Sequence, residues 1–212
     1  MTNEILPLEI EGIDENIYAG FWERLGSLLV DALVYIPISL LTLYVNSFDK
    51  NIYFLTFIPN LLFTLWYGIY LPKRYGGTPG KLVVGIKIIC KNGDDINWRE
   101  AILRHSFNIV LSLIHVVIMT ISILKADNSI FKSMAWLHQN SYLVSMNPVL
   151  FHTYIWISNI WFYGELIVLM TNKRKRAIHD YIAGTVIVKS KYINEIKESM
   201  IKCSENDSFT EY

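Results

Sequence analysis

Residues 21–35 read FWERLGSLLVDALVY, and they begin the first long apolar run of the chain. The run carries Arg24 at its entrance and Asp31 seven residues further in. Because a helix has about 3.6 residues per turn and rises about 1.5 Å per residue, this spacing places both side chains on one face, roughly 10 Å apart along the axis. An aspartate at the centre of a membrane helix costs on the order of 2.5 to 3.5 kcal/mol and usually faces the protein interior. The segment therefore predicts a membrane helix with a shielded charged face.

The distribution of charge is more informative than the mean composition. The chain has 212 residues, of which 52% are hydrophobic, and its formal net charge is zero. A nucleic-acid-binding protein would present a basic surface, so the neutral balance argues against nucleic acid as a partner. Cys90 and Cys203 are too few for a disulfide framework or a zinc site. A secretory signal is not expected either, because residues 1–17 are acidic rather than basic.

Four apolar stretches are long enough to cross a hydrocarbon core of roughly 30 Å as helices. They lie at about residues 25–45, 52–71, 101–124 and 149–170. The short connection between the first two predicts an antiparallel pair. We therefore predict an all-α membrane protein, a four-helix transmembrane bundle in the lipid bilayer.

The polar connection between the second and third spans predicts a small cytoplasmic β-hairpin element. Residues 82–89, LVVGIKII, are rich in β-branched residues. Asn92-Gly93 follows, which is a strong hairpin signal because both turn residues take positive φ. Asp95 to Trp98 would form the short return strand, and residues 185–189 are a further strand that pairs with 82–89.

The remaining segments are assigned by their composition. Residues 1–17 are expected to form an exposed arm, and residues 191–212 a charged cytoplasmic tail that is helical or disordered. Residues 18–190 are then the transmembrane domain. Residues 125–148 mix aromatic and polar side chains, and they predict a helix lying in the outer interface.

Lysine and arginine counts predict the orientation. Residues 73–100 and 171–191 hold six each, whereas the other two connections hold one and two. Cytoplasmic connections carry the excess of these residues. With four spans, this distribution predicts that both the N-terminus and the C-terminus are cytoplasmic.

In chain order, the charged residues and one loop resemble the RDD family, small bacterial membrane proteins named for an arginine and two aspartates. The resemblance covers residues 18–190, and it rests on Arg24, Asp31, Asp180 and the loop GTPGK at residues 77–81. It implies a multi-pass protein of the bacterial cell (inner) membrane. It also implies membrane transport, with cation–proton exchange proposed for some members and regulatory roles for others, and it fixes no substrate.

Asp31 is the strongest candidate for binding a proton or a cation, because removal from water makes a carboxylate take up positive charge more readily. The alternative is a structural ion pair, with Arg104 or Lys81 as the cation. Depths counted along the helices place Asp31, Asn108 and Glu165 roughly 9 to 14 Å from the inner boundary. We expect these three to meet in the inner half of the bundle, unless Glu165 reaches the inner interface instead.

Asp180 follows His179 outside the predicted spans. One interpretation is that Asp180 pairs with Arg24 or Lys81 as a cytoplasmic gate. The other is that Asp180 caps a helix or turn, since aspartate oxygens accept the free N–H groups there. Lys81, Arg104 and His179 complete the candidate residues on the cytoplasmic side.

No pattern of enzyme chemistry is visible. The glycine-rich loop is not a phosphate loop, because Tyr75 occupies the place of the first glycine and Leu82 follows the lysine. The histidines share no four-residue spacing on one helix, and no Ser–His–Asp or HExxH arrangement is present. We therefore expect neither an enzyme nor a metal nor a cofactor.

Two functions remain open. The first is a small transporter, homo-oligomeric because four short helices leave little room for a path, in which Asp31 acts with Arg24 and Asp180. The second is a non-transporting regulator or immunity-type protein that binds another membrane protein or a peptide. Its charged residues would be structural, and residues 125–148 or the cytoplasmic face would make the contact.

Overall fold

The structure is a computed structural model that describes residues 6–8, 10 and 12–209, with side chains as far as residue 201. It is mostly helical and contains one small sheet, as the sequence predicts. The elements in chain order are α1 Phe21–Asn46, α2 Ile52–Leu65, a π-helical turn Trp66–Tyr70, α3 Leu71–Tyr75, α4 Pro79–Val83, β1 Ile86–Cys90, α5 Trp98–Lys125, α6 Asn128–Ser133, α7 Trp136–Ser145, α8 Pro148–Thr171, α9 Ile178–Ala183, β2 Thr185–Lys189, a 3-10 turn Ser190–Tyr192 and α10 Ile193–Phe209.

Within the described residues, three helical segments are long and apolar enough to cross a membrane. They are Phe21–Asn46, Ile52–Tyr75 and Trp98–Lys125, and they contain the first three predicted spans. The fourth predicted span also forms a helix, α8, which has 24 residues. α8 carries the polar residues His152, Asn159 and Glu165. It is not among the three helices that are both long enough and apolar enough to cross a membrane.

The chain divides into two compact units. Unit 1 comprises Met1–Asp31, Tyr67–His105 and Gly164–Tyr212. Unit 2 comprises Ala32–Trp66 and Ser106–Tyr163. The candidate site residues belong to unit 1, except Asn108, which belongs to unit 2.

The sheet of unit 1 joins two strands that are far apart in sequence. β1 and β2 pair antiparallel, with Ile86 opposite Lys189 and Cys90 opposite Thr185. The predicted pairing of residues 185–189 with the earlier strand is therefore present. Buried apolar side chains cover the sheet and form one core: Leu6, Ile17, Tyr18, Ile89, Val186, Val188 and Ile196.

Two details of the predicted β-element are wrong. The first strand begins at Ile86 rather than at residue 82, because residues 79–83 form the helix α4. The return strand at residues 95–98 is reduced to a single bridge between Ile89 and Asp95. Gly93 has φ 87° whereas Asn92 keeps a negative φ, so the tight turn in which both residues take positive φ does not form.

The N-terminal arm differs from the expected exposed segment. Leu6 and Ile17 are fully buried. The Leu6 backbone N–H donates to the Lys91 carbonyl over 2.9 Å, and the Tyr18 hydroxyl donates to the Pro7 carbonyl over 2.8 Å. These contacts fix that part of the arm to the sheet. Residues 1–5, 9 and 11 lie outside the described residues.

In unit 2, the connection at residues 125–148 forms two short helices instead of one. Asp127 starts α6 by accepting hydrogen bonds from the backbone N–H groups of Ser129 and Ile130, which is the usual role of an N-terminal aspartate. α6 and α7 add Phe131 and Leu143 to a core built mainly on α5.

The predicted helical form of the C-terminal tail is found in α10, and residues 210–212 lie outside the described residues.

Candidate ion-binding site

Asp180 is the centre of a buried ion cluster in unit 1. It occupies the first turn of α9, and its Oδ2 accepts the backbone N–H of Ala177 over 2.9 Å. The same Oδ2 lies 2.9 Å from Nη1 of Arg24, and Oδ1 accepts a hydrogen bond from Nη1 of Arg104. The Asp180 side chain is fully buried. Asp180 therefore pairs with an arginine and also caps the start of a helix, so it combines the two roles that the sequence offered as alternatives.

The surrounding hydrogen bonds fix both arginines. Arg104 also donates to the Thr185 hydroxyl over 2.6 Å, and Arg24 donates to the Lys175 carbonyl. Arg176 donates to the backbone carbonyl of Asp180 over 2.9 Å. Because the arginines have fixed partners besides the carboxylate, the cluster has a defined geometry rather than a loose attraction of charges.

Electrostatics keeps Asp180 ionised. Burial by itself raises the pKa of the Asp180 carboxyl, but Arg104, His179 and Arg24 outweigh burial and hold the pKa well below its ordinary value. His179 contributes from its Nε2, which lies 3.6 Å from Oδ1 of Asp180. The cluster is therefore a stable anion enclosed by cations.

Glu165 continues this network through His179. Oε1 of Glu165 accepts the backbone N–H of His179 over 2.9 Å, and Oε2 lies 2.6 Å from the His179 Nδ1. Glu165 therefore binds the first turn of α9 as well as the imidazole. An acidic side chain is favourable there, because the backbone N–H groups of a first helical turn have no partner within the helix.

Asp31 is held in a different way. Its Oδ1 accepts hydrogen bonds from the Tyr67 hydroxyl at 2.5 Å and the Gly80 backbone N–H at 2.7 Å. Its Oδ2 accepts one from the Thr78 hydroxyl at 2.6 Å. Among the residues whose side chains the structure describes, no lysine, arginine or histidine lies within 4.0 Å of this carboxylate. Three uncharged donors thus bind a negative charge on a helix apolar enough to cross a membrane.

Local sequence explains how these donors reach Asp31. Tyr67 lies in the π-helical turn, a rare geometry that occurs often at functional sites. Thr78 precedes Pro79, which starts α4, and this order is typical of a helix N-terminus. A Cβ at Gly80 would lie 2.2 Å from the Ser27 carbonyl oxygen and 2.6 Å from Oδ1 of Asp31. Glycine is therefore required for the backbone to approach the carboxylate this closely.

Thr78 also connects Asp31 to a titratable lysine. The Lys81 ammonium donates to the Thr78 hydroxyl over 3.3 Å, and that hydroxyl donates to Asp31. Burial, together with the positive charge of Arg104, lowers the pKa of Lys81 to about 8 against the opposing effect of Asp31. The three side chains form a continuous hydrogen-bonded chain that ends on the Asp31 carboxylate.

The structure brings together some of the predicted site residues and separates others. Arg24, Arg104 and Asp180 form the ion cluster, with His179 and Glu165 beside it. Arg104 thus pairs with Asp180 and not with Asp31.

The expected group of Asp31, Asn108 and Glu165 is not what the hydrogen bonds show. Asp31 binds Tyr67, Thr78 and Gly80, whereas Glu165 binds His179. Asn108 has an exposed side chain.

Both sites also contain residues that we did not predict to be site residues. They are Tyr67, Thr78, Gly80 and Thr185. The sequence Thr78-Pro79 did contain a usable signal, because threonine followed by proline marks the start of a helix. Among the described residues, no group of three or more His, Cys, Asp and Glu side chains is arranged to hold a metal ion.

Comparison with known proteins identifies the family of the chain. The model of the RDD family matches residues 18–184, a range that contains Arg24, Asp31 and Asp180. The chain belongs to the RDD family. A relative, the uncharacterized protein YckC of Bacillus subtilis (strain 168), is 26% identical over 177 residues, which cover 81% of this chain and 86% of YckC. No solved structure matches the chain. The ion cluster and the Asp31 site therefore describe the charged residues of an RDD protein of membrane type.

Proposed function

We propose that this RDD protein moves a proton or a small cation across the membrane, with Asp31 as the binding carboxylate. One observation carries the proposal: Asp31 has three uncharged hydrogen-bond donors and, among the described side chains, no cation within 4.0 Å. An ionisable residue inside a membrane-spanning segment marks an ion or proton pathway more often than a structural position. A carboxylate that lacks a permanent countercharge gains the most from binding a positive charge.

The chain from Lys81 through Thr78 supplies a route for protons. A hydroxyl group donates one hydrogen bond and accepts others, so Thr78 is able to pass a proton from Lys81 to Asp31. Because the pKa of Lys81 is about 8, this ammonium group releases a proton near physiological pH more readily than an exposed lysine does. A proton that arrives through Thr78 binds Oδ2 of Asp31, which then donates to the Thr78 hydroxyl instead of accepting from it. Protonation also removes the negative charge that the Gly80 N–H binds, so it weakens the contact between Asp31 and α4.

The ion cluster around Asp180 has a positioning role in this proposal. Its carboxylate is already neutralised by Arg24 and Arg104, so it has no capacity for a transported cation. It joins the start of α1 to α9 and so fixes the helix that carries Asp31.

The topology follows from the distribution of basic residues. We place four spans, α8 being the fourth, in the inner membrane of a bacterium, with both termini, the sheet and the ion cluster in the cytoplasm. The protein acts as a homo-oligomer, because one copy offers few helices from which to build a path. It acts without a cofactor or covalent chemistry.

Flux measurements in vesicles test the function. Purified protein is reconstituted into vesicles that carry a pH-sensitive dye and an imposed gradient of Na⁺, K⁺ or protons. The expected result is flux above that of empty vesicles, abolished by Asp31→Asn. Asp95→Asn is the matched control, because Asp95 is an exposed carboxylate paired with Lys87. Size-exclusion profiles of the variants verify that folding is retained. Equal flux through wild type and Asp31→Asn contradicts the proposal.

Asp180 also favours a second candidate, a non-transporting regulator that binds another membrane protein or a peptide. The Asp180 carboxylate is neutralised within the fold by Arg24 and Arg104, as it would be if its charge served structure alone. Absence of any flux, together with a second membrane protein that co-purifies in stoichiometric amount, would establish this candidate over transport.

A further inference from the structure

Unit 2 contains a cavity that the Asp31 site does not use. Its volume is about 260 Å³, and its lining comes from α1, α2, α5 and α8. Nine of its twelve lining residues carry a hydroxyl, amide or imidazole group, and none is Asp, Glu, Lys or Arg. Polar side chains on apolar helices are costly unless they are shielded from lipid. Because these polar residues meet at one cavity, we ask which molecule the cavity could bind.

Part of the polar lining is already hydrogen-bonded and forms a rigid wall. Thr42 donates to the side-chain oxygen of Asn60 over 3.2 Å, and Thr56 donates to that of Asn46 over 2.7 Å. The Asn60 amide in turn donates to the Thr56 carbonyl over 2.7 Å. These bonds fix the positions of both amides, so this wall is organised before any ligand arrives.

Three further polar residues of the lining have unused hydrogen-bonding capacity. Tyr53, His115 and Tyr154 line the cavity. The rings of His115 and Tyr154 lie 5.3 Å apart. Within the part of the chain whose side chains are described, the two phenolic hydroxyls and the imidazole have no hydrogen-bond partner, and they are not enclosed polar atoms. They therefore present donors and acceptors to the space between them.

We propose that this cavity binds an uncharged, polyhydroxylated small molecule. Taking roughly 30 Å³ for each water molecule, the volume suits several waters or one short polyol that replaces them. Hydroxyl groups match the lining because each both donates and accepts. The aromatic faces of Tyr154 and His115 suit the C–H surface of such a molecule.

Charged ligands fit this cavity poorly. An ion transferred from water to a lining without an opposite formal charge loses hydration that the site does not replace in full. The site is thus chemically distinct from the Asp31 carboxylate, and its residues do not overlap with those of that site. Polyol binding and ion flux can be lost separately, so this inference extends beyond the proposed function and can fail without it.

Saturation-transfer NMR on the full chain in lipid nanodiscs tests the inference. The probes are xylitol as the neutral polyol, choline as a cation and gluconate as an anion, each titrated against empty nanodiscs. Two variants remove single polar groups from the cavity, Tyr154→Phe and His115→Leu. Two matched controls make the same changes elsewhere in unit 2, Tyr163→Phe and His138→Leu, at residues that are exposed and do not line the cavity.

The expected result is a saturable signal for xylitol but not for choline or gluconate. The signal falls at least threefold in Tyr154→Phe and His115→Leu and is unchanged in the two controls. Tyr154→Phe keeps the ring and removes one oxygen, so loss of signal in a variant with a native elution profile reports the site and not misfolding. Absence of saturable xylitol binding, equal binding of a charged probe, or equal loss in the controls overturns the inference.

Discussion

Asp180 is buried between two arginines, whereas Asp31 is held by a tyrosine, a threonine and a backbone N–H. Asp180 is fully buried and Asp31 is half-buried, and both carboxylates have every oxygen hydrogen-bonded. In the Asp180 region the negative charge is cancelled by formal positive charge. In the Asp31 region it is only solvated by dipoles, and charge neutrality is left for another species to provide. The comparison separates a carboxylate that is paired with two arginines from the carboxylate that we propose binds a proton or a cation.

The largest expected effect is on the Asp180 side of this comparison. Asp180→Asn leaves Arg24 and Arg104 buried without a counterion, which costs about 3 to 5 kcal/mol when a buried pair loses one partner. The free energy of unfolding, measured by reversible SDS titration in mixed micelles, should fall by this amount. Asp95→Asn, an exposed pair with Lys87, should change it by less than about 1 kcal/mol. Similar losses in the two variants would erase the distinction.

The same region should dominate the response to acid. Because the pKa of folded Asp180 is held well below the ordinary value of 3.8, the unfolded chain takes up a proton there at a pH where the folded protein does not. The contribution is thus complete above about pH 5 and declines as the pH falls through the ordinary value and below it. The stability difference between wild type and Asp180→Asn, followed from pH 6 to pH 3, should shrink in this window. A constant difference would contradict the assignment.

A smaller effect is expected from steric pressure on the Asp31 region. In Gly80→Ala the added methyl group meets the Ser27 carbonyl and Asp31 itself at distances that require the backbone to move. Overpacking of this kind costs about 1 to 3 kcal/mol. Thermal unfolding of the reconstituted protein should show the loss. Gly26→Ala is the control, because its methyl group would lie at an ordinary 3.7 Å from Val84.

The smallest effect concerns a single hydrogen bond to Asp31. Tyr67→Phe keeps the buried ring and removes the hydroxyl that binds Oδ1. A hydrogen bond to a charged group contributes about 1.5 to 3 kcal/mol, and water entering the site would offset part of it, so we expect a loss of about 1 kcal/mol. SDS titration against Tyr70→Phe, which removes an exposed hydroxyl, isolates the bond. An unchanged stability would mean that Tyr67 does not hold the carboxylate.

The long helices could be predicted from the sequence, because a long apolar run usually crosses a lipid bilayer as an α-helix. The sheet partner of β1 could also be predicted, since residues 185–188 are all β-branched and follow Gly184. The start of β1 was not, because Leu82 and Val83 suit a strand by composition but are taken into α4 by the Thr78-Pro79 start. The pairing of Arg104 with Asp180 depends on residues 76 positions apart, and no local pattern contains that information.

The Asp31 donors show the same limit more sharply. Tyr67 reaches the carboxylate from a π-helical turn, and a turn of this kind has no distinct periodicity in sequence. The expected meeting of Asp31 with Glu165 came from counting depth along helices, which fixes height but not the direction in which a side chain points. Direction was set by α4 and by the first turn of α9, two short elements that carry little sequence signal.

The Arg24–Asp180 contact joins residues that are 156 positions apart. During biosynthesis, α1 is made and inserted long before Asp180 leaves the ribosome. Until then the arginines of the cluster lack this anion, so a chain that ends between residues 104 and 180 contains both arginines without the Asp180 carboxylate. The contact that fixes the start of α1 therefore becomes available only after most of the chain has been synthesised.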